Sequence, residues 1–361
     1  MYLYYNTQKL YKDTKRLEYI DIAKGIGIFL IVLGHMLKNG LLRQFIFSFH
    51  VPLFFFLSGI TFNYKSNLKS FIVKKAKRIL VPYVFFSIIS IIIFTFAGKM
   101  AANSLNSTII NDSILMNLVG MIYANSRNNL MFWNQPLWFL PCLFVVYFFA
   151  GIIEIFLYSK NNIFLKRIFI ITIFLCFFKL YEIIPNVIIL PFSMEQAIIM
   201  IPYFELGLIF KEKCLYNKIL NFLNNRNYLY IIFLIVCIFL CISLSYINGF
   251  SQVRTINFGY SCILFILCSL LGIIITLLIS ILLKNCLFFC IIGLNTMSIL
   301  LLHKFFILFF QVLCPLTKTY YSNGNSLLSI IICIICSIVT IVCCYIVGDI
   351  IKVKLPIIMG E

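Results

Sequence analysis

The chain holds three histidines, His35, His50 and His303, and all three stand inside strongly apolar stretches. Imidazole exchanges protons near neutral pH, so it can act as general acid, general base or nucleophile. An ionisable side chain is costly in lipid-compatible sequence, which makes each one a candidate for function. His35 closes the run Asp21-Ile-Ala23-Lys24-Gly25-Ile-Gly27-Ile-Phe-Leu-Ile-Val-Leu-Gly34-His35, eleven residues after Lys24. On a helix, eleven residues make three turns plus about 20°, so both side chains share one face, roughly 16 Å apart along the axis. Asp21 lies three residues before Lys24, close enough to pair with it. Ala23, Gly27 and Gly34 form an adjacent stripe, suited to close helix packing or to a ligand lying against the backbone. Each residue also has a plain alternative. Lys24 can snorkel to the surface, and His35 can bridge helices by hydrogen bonding alone.

Other candidates follow. His50 begins Phe49-His50-Val51-Pro52-Leu53-Phe54-Phe55-Phe56-Leu57-Ser58-Gly59, one short loop beyond His35, and is expected at a similar depth. Lys74-Lys75-Ala76-Lys77-Arg78 precedes Pro82. It reads either as a topology signal or as a phosphate site, Arg being suited to bidentate contacts. Trp138, in Gln135-Pro136-Leu137-Trp138-Phe139-Leu140-Pro141, is an interface anchor or a platform for a sugar ring. Glu205 is acidic within an apolar segment and requires a partner. His303 is followed by Lys304, and two adjacent basic groups there suggest a polar cavity. A purely structural role remains open for His50 and for His303. No metal-ligand set stands out. Of fourteen cysteines, Cys333-x-x-Cys336 matches a redox or metal spacing but lies in an apolar helix, so the cysteines read as small apolar fillers.

The elements that position these residues follow from composition. The 361 residues are 63% hydrophobic and 11% charged, with a mean hydropathy of +1.06. Soluble domains carry about 25% charged residues. Apolar runs near twenty residues recur throughout, which predicts an all-α, polytopic integral membrane protein. Ten transmembrane helices are expected near 20–37, 45–63, 79–97, 137–157, 168–184, 193–210, 228–247, 260–283, 294–313 and 327–351. Residues 1–19 are expected to be a polar cytoplasmic segment carrying Lys9, Lys12, Lys15 and Arg16, 20–351 the membrane domain, and 352–361 a cytoplasmic tail. The first apolar segment reads as a retained anchor, since it is too long for a signal h-region. The basic stretch 65–78 is expected as a cytoplasmic loop, and the Asn- and Ser-rich stretch 98–136 as an outer one holding a short amphipathic helix near Ile109–Tyr123. Twenty of the 29 Lys and Arg residues fall on the loops of one side. By the positive-inside rule that side is cytoplasmic and holds both termini. The net charge of +18 therefore sets topology and touches anionic membrane lipid, and no nucleic-acid partner is expected.

Taken in order, these segments resemble the acyltransferase-3 family of integral membrane acyltransferases, and most closely its fucose 4-O-acetylase-like branch. The features are the basic-x10-His pattern from Lys24 to His35, FHVPLFFFLSG, the basic cluster running into Pro82, PLWFLP, IPYFELG and GLNTMSILLLH. The resemblance implies a bundle of about ten helices in the cytoplasmic (inner) membrane. It implies an O-acyltransferase that moves an acetyl group from cytoplasmic acetyl-CoA to a hydroxyl of a cell-surface carbohydrate: capsule, O-antigen or lipid-linked sugar. Acetyl-CoA serves as the acyl donor, and no permanently bound cofactor is expected. His35 and Lys24 match the family's catalytic pair, and Lys75 and Arg78 its donor-binding cytoplasmic motif. Lysine replaces the commoner arginine at 24 and stands at 75, so donor contacts lack the guanidinium fork there. His50, Trp138, Glu205 and His303 are candidates for holding the acceptor. A secondary transporter or polysaccharide flippase is the alternative that shares the intramembrane histidines and Glu205.

Overall fold

The computed structural model describes residues 18–64, 67–101, 114–128, 130–157, 162–183, 189–216, 219, 227–313 and 324–360. Lys9, Lys12, Lys15 and Arg16 of the expected N-terminal segment lie outside the described residues. The described chain is a helical bundle: α1 Glu18–Met36, α2 Leu41–Phe47, α3 His50–Ile60, α4 Leu68–Ala101, α5 Ile114–Tyr123, α6 Phe139–Phe156, α7 Ile163–Ile183, α8 Met194–Glu212, α9 Asn227–Asn248, α10 Cys262–Leu282, α11 Leu287–Leu294, α12 Thr296–Leu313 and α13 Leu327–Lys354. Helices prevail because backbone groups in an apolar medium must be satisfied within their own segment. Among the described residues, extended pairing is confined to an isolated bridge between Gln252 and Asn257.

Among the described residues, eight segments are long and apolar enough to cross a membrane, and the pair α11–α12, bent by 88°, makes a ninth if it is counted as one span. Ten spans were expected. The tenth, 168–184, falls on α7, whose 21 residues are less apolar because they include Lys166, Arg167, Lys179 and Glu182. It still runs from Arg167 beside Glu212 to Glu182 beside Cys262, so the described N- and C-terminal residues meet at one end. Two other expectations are adjusted. The basic stretch is not a loop: α4 starts at Leu68 and runs for 34 residues through Pro82, so Lys75 and Arg78 lie one turn apart on a helix. The second span is broken between α2 and α3. There the Ser48 hydroxyl donates to the Phe45 carbonyl (2.8 Å), and the Phe49 ring fills the space beside Gly272. This break places His50 at the first position of α3. The amphipathic helix expected near Ile109–Tyr123 is α5 over Ile114–Tyr123, residues 109–113 lying outside the described residues.

Small residues set the tightest crossings. A Cβ on Gly25 would lie 2.0 Å from the Phe289 carbonyl oxygen, and one on Gly293 1.8 Å from that of Asp21. The backbones of α1 and α11 therefore touch. The same reciprocity joins α3 to α8: Gly59 against the Phe204 carbonyl (2.0 Å) and Gly207 against that of Phe56 (2.1 Å). Such contacts replace the hydrophobic drive that is missing between helices in lipid.

Candidate active site

Two cavities sit at opposite ends of the bundle and are lined by the same four segments: α1, α3, the Gln135–Tyr147 segment that leads into α6, and α12. One, of about 600 Å³, lies at the end carrying the described N- and C-terminal residues. Lys24, Lys75, Arg78, Lys211 and Lys352 line it together with Asp21. Four of these five cations are held by local structure. Lys24 pairs with Asp21 across three residues, Nζ to Oδ1 3.8 Å. Lys75 Nζ lies 3.7 Å from the centre of the Tyr147 ring, a cation–π contact. Lys211 donates to the Phe62 carbonyl at 2.5 Å. Lys352 donates to Asn295 Oδ1 at 2.9 Å, and Asn295 sits at the α11–α12 bend, where its Nδ2 donates to the Ile291 carbonyl at 2.9 Å. The two residues that sequence pointed to as the donor site, Lys75 and Arg78, thus share one cavity with Lys24, which the sequence had paired with His35.

The other cavity, of about 250 Å³, is lined by His35, His50, Trp138, Lys38, Arg43, Gln135, Gln252, Arg254 and Lys304, among others. His35 ends α1, and its ring centre lies 5.4 Å from that of His303. His50 and His303 are both oriented through Nδ1. His50 Nδ1 meets the Ile46 carbonyl at 2.9 Å, and His303 Nδ1 meets those of Ile299 and Leu300 at 3.0 and 2.9 Å. A carbonyl only accepts, so Nδ1 carries the proton in both rings and Nε2 keeps its lone pair. Nε2 of His303 is buried with no hydrogen-bond partner. Trp138 is 7% exposed, so it lines the cavity rather than anchoring in a lipid interface.

Arg254 reaches the cavity from the loop joining α9 and α10. The side chain of Asn248 pins that loop, donating to the Phe258 carbonyl (2.7 Å) and accepting from Ser261 N (2.9 Å). Gly259, at φ +83°, lies so close to Asn248 that a Cβ there would meet its carbonyl oxygen at 2.3 Å. Arg254 donates to the Ser126 carbonyl at 2.5 Å. Burial, helped by the nearby Arg127 charge, pushes its guanidinium down to about 10. Sequence reasoning missed Arg43, Gln135, Gln252 and Arg254 here, and Lys211 and Lys352 at the other end. Arg254 stands in an ordinary polar loop, and nothing in its spacing marks it.

Between the two cavities the ring of Phe54 lies against Gly27, and Phe139 stands 6.1 Å from Phe54, centre to centre. The small-residue face of α1 is therefore used for packing: Gly27 receives Phe54 and Leu53, and Gly34 receives Phe47 and Ile46. A ligand lying in an open groove along that face, one of the two expectations, is displaced by these side chains.

Glu205 is not brought to either cavity. It accepts from Arg167 Nη1 at 2.7 Å, and the same guanidinium binds Glu154 (2.6 Å) and Glu212 (2.8 Å). The expected partner exists, and the cluster ties α6, α7 and α8 together. Its place is structural, which removes Glu205 from the acceptor-holding set.

No curated protein and no solved structure matches the chain. The family model for acyltransferase 3, described as an acyltransferase domain, matches residues 17–349. The match covers nearly all of the chain, from α1 through most of α13 and every cavity-lining residue named above except Lys352, so this multi-helix membrane protein belongs to the acyltransferase-3 family.

Proposed function

We propose that the chain is a membrane O-acetyltransferase of the fucose 4-O-acetylase-like kind, taking acetyl from acetyl-CoA on the cytoplasmic side and delivering it to a carbohydrate hydroxyl on the other. The observation that carries this is the pair of cavities stacked along the same four segments, a basic one holding Lys24, Lys75 and Arg78 and a smaller one holding His35. Five cations line a cavity large enough for the phosphorylated end of the donor. The Lys/Arg bias puts that cavity, and both termini, in the cytoplasm of a cell whose inner membrane holds the protein.

In the transfer, the acceptor hydroxyl oxygen attacks the thioester carbonyl, the C–S bond breaks and coenzyme A leaves as thiolate. As general base, His35 takes the hydroxyl proton and returns it to the departing sulfur. In the covalent variant an imidazole nitrogen of His35 first displaces the thiolate; the hydroxyl oxygen then attacks the acetyl-imidazole, the N–acetyl bond breaks, and the hydroxyl proton passes through the freed imidazole to the coenzyme A thiolate. His303 supports either route. Its Nδ1–H is committed to backbone carbonyls and its Nε2 lone pair is unpartnered beside His35, so a small turn of either ring would let it accept a hydrogen bond from the His35 N–H and hold that ring in one tautomer. Lys24, Lys75 and Arg78 hold the donor phosphates. His50 and Trp138 hold the acceptor, Trp138 by stacking on a sugar ring.

Mass spectrometry of surface glycans from cells with and without the gene tests the proposal. The expected result is loss of an acetyl mass increment without it. Unchanged acetylation, with unmodified glycan moved across reconstituted vesicles, would instead establish a flippase.

A further inference from the structure

Buried arginines in this protein are otherwise matched with carboxylates. Arg127 pairs with Glu195 at 3.2 Å, and Arg167 with three glutamates. The His35 cavity breaks that pattern. Lys38, Arg43, Arg254 and Lys304 line it, and among the described residues no Asp or Glu does. None of the four forms an ion pair among the described residues. Arg43 spends its charge on the rings of Phe47 and Phe250, at 4.7 and 4.3 Å, and on the Lys38 carbonyl at 2.8 Å. Arg254 meets the Ser126 carbonyl. The Nε atoms of both arginines are buried without a hydrogen-bond partner. Burying a charge without its counter-charge is expensive, and guanidinium forks match carboxylate and phosphate oxygens. Four formal cations facing about 250 Å³ also repel one another until an anion enters.

We infer that the acceptor is an acidic sugar, whose carboxylate or phosphate seats against Arg43, Arg254 and Lys304 and so presents a neighbouring hydroxyl to His35. This rests on the reading of that cavity as the acceptor site. The cavity volume lies just under the ~300–1,000 Å³ of pockets that hold drug-sized ligands, which suits one ring and its acidic group rather than a long oligosaccharide.

The test is direct binding to the full-length protein in nanodiscs, without acetyl-CoA. The probes are the methyl glycosides of galacturonic acid and galactose, galactose 1-phosphate and inorganic phosphate. At least one charged sugar is expected to bind roughly tenfold or more tightly than the neutral one, the magnitude of a charge-assisted hydrogen bond. The carboxylate and phosphate arms identify the anion. Arg254→Gln and Lys304→Gln should each weaken that probe by roughly tenfold and leave the neutral probe unchanged, in samples whose melting temperature matches the parent. Lys304→Gln keeps the test valid if Arg254→Gln fails to fold. Neutral binding as tight as charged, charged binding indifferent to either folded variant, absence of charged-sugar binding, or binding of inorganic phosphate alone would each overturn the inference. Charged-sugar binding without acetyl transfer would sink the transferase proposal instead, and acetyl transfer with no preference for charge would sink only this one.

Discussion

At the scale of single residues, the cavities divide labour between histidines and cations, and each predicts a different kinetic signature. His35→Ala should remove acetyl transfer by about 10²–10⁴-fold or more, the worth of a positioned proton-transfer group, while the melting temperature holds. Trapped acetyl on His35, detected by rapid-quench peptide mass spectrometry, would select the covalent route. His303→Ala should lower kcat and leave the donor KM near its parent value, because His303 lies beside His35 and away from the donor cavity. Lys24→Ala and Arg78→Ala should do the reverse, raising the donor KM by roughly tenfold each, with smaller change in kcat. The spacing of Lys24 and His35 was legible because a helix converts eleven residues into one shared face. Glu205 was misjudged for an equally physical reason. A buried carboxylate in sequence announces only that a partner exists, and the partner proved to be Arg167, 38 residues away on α7.

At the scale of elements, the bundle rests on backbone crossings and one ionic staple. Gly207→Val should push α3 and α8 apart, since even a Cβ would stand 2.1 Å from the Phe56 carbonyl. A loss of about 1–3 kcal/mol or more is expected, read as a lower melting temperature with less transfer at equal protein. Arg167→Met leaves three glutamates without their cation. The cost should approach ~3–5 kcal/mol, carried mainly by Glu205, whose side chain is 1% exposed while that of Glu212 is 39% exposed. Glu205→Gln keeps a hydrogen-bonding oxygen beside the guanidinium and should cost less. Hydropathy revealed where most helices lie, because each must satisfy its own backbone. It could not reveal that α4 extends to Leu68 or that the second span breaks at Ser48 and Phe49. Those outcomes depend on what packs against each segment, as Phe49 does against Gly272.

At the scale of the whole molecule, both cavities were only partly visible beforehand. The residues on α1, α3 and α12 could be aligned by depth, because span order and the Lys/Arg bias fix which end of each helix shares a side. Arg254 could not, since its position depends on the folding of the α9–α10 loop around Asn248. The proposed orientation predicts that sealed inside-out vesicles consume externally added acetyl-CoA while right-side-out vesicles do not, measured by thiol release. Consumption by right-side-out vesicles alone would reverse the topology.

The aromatic partition of Phe54 and Phe139, set against Gly27, has an electrical consequence. Two chambers rich in fixed positive charge, joined end to end, would make a low-resistance path for small anions through the bilayer. With rings between them, an acetyl group is handed on while the membrane voltage is preserved. Phe54→Ala should therefore make voltage-clamped bilayers leak chloride, and wild-type protein should leave them insulating.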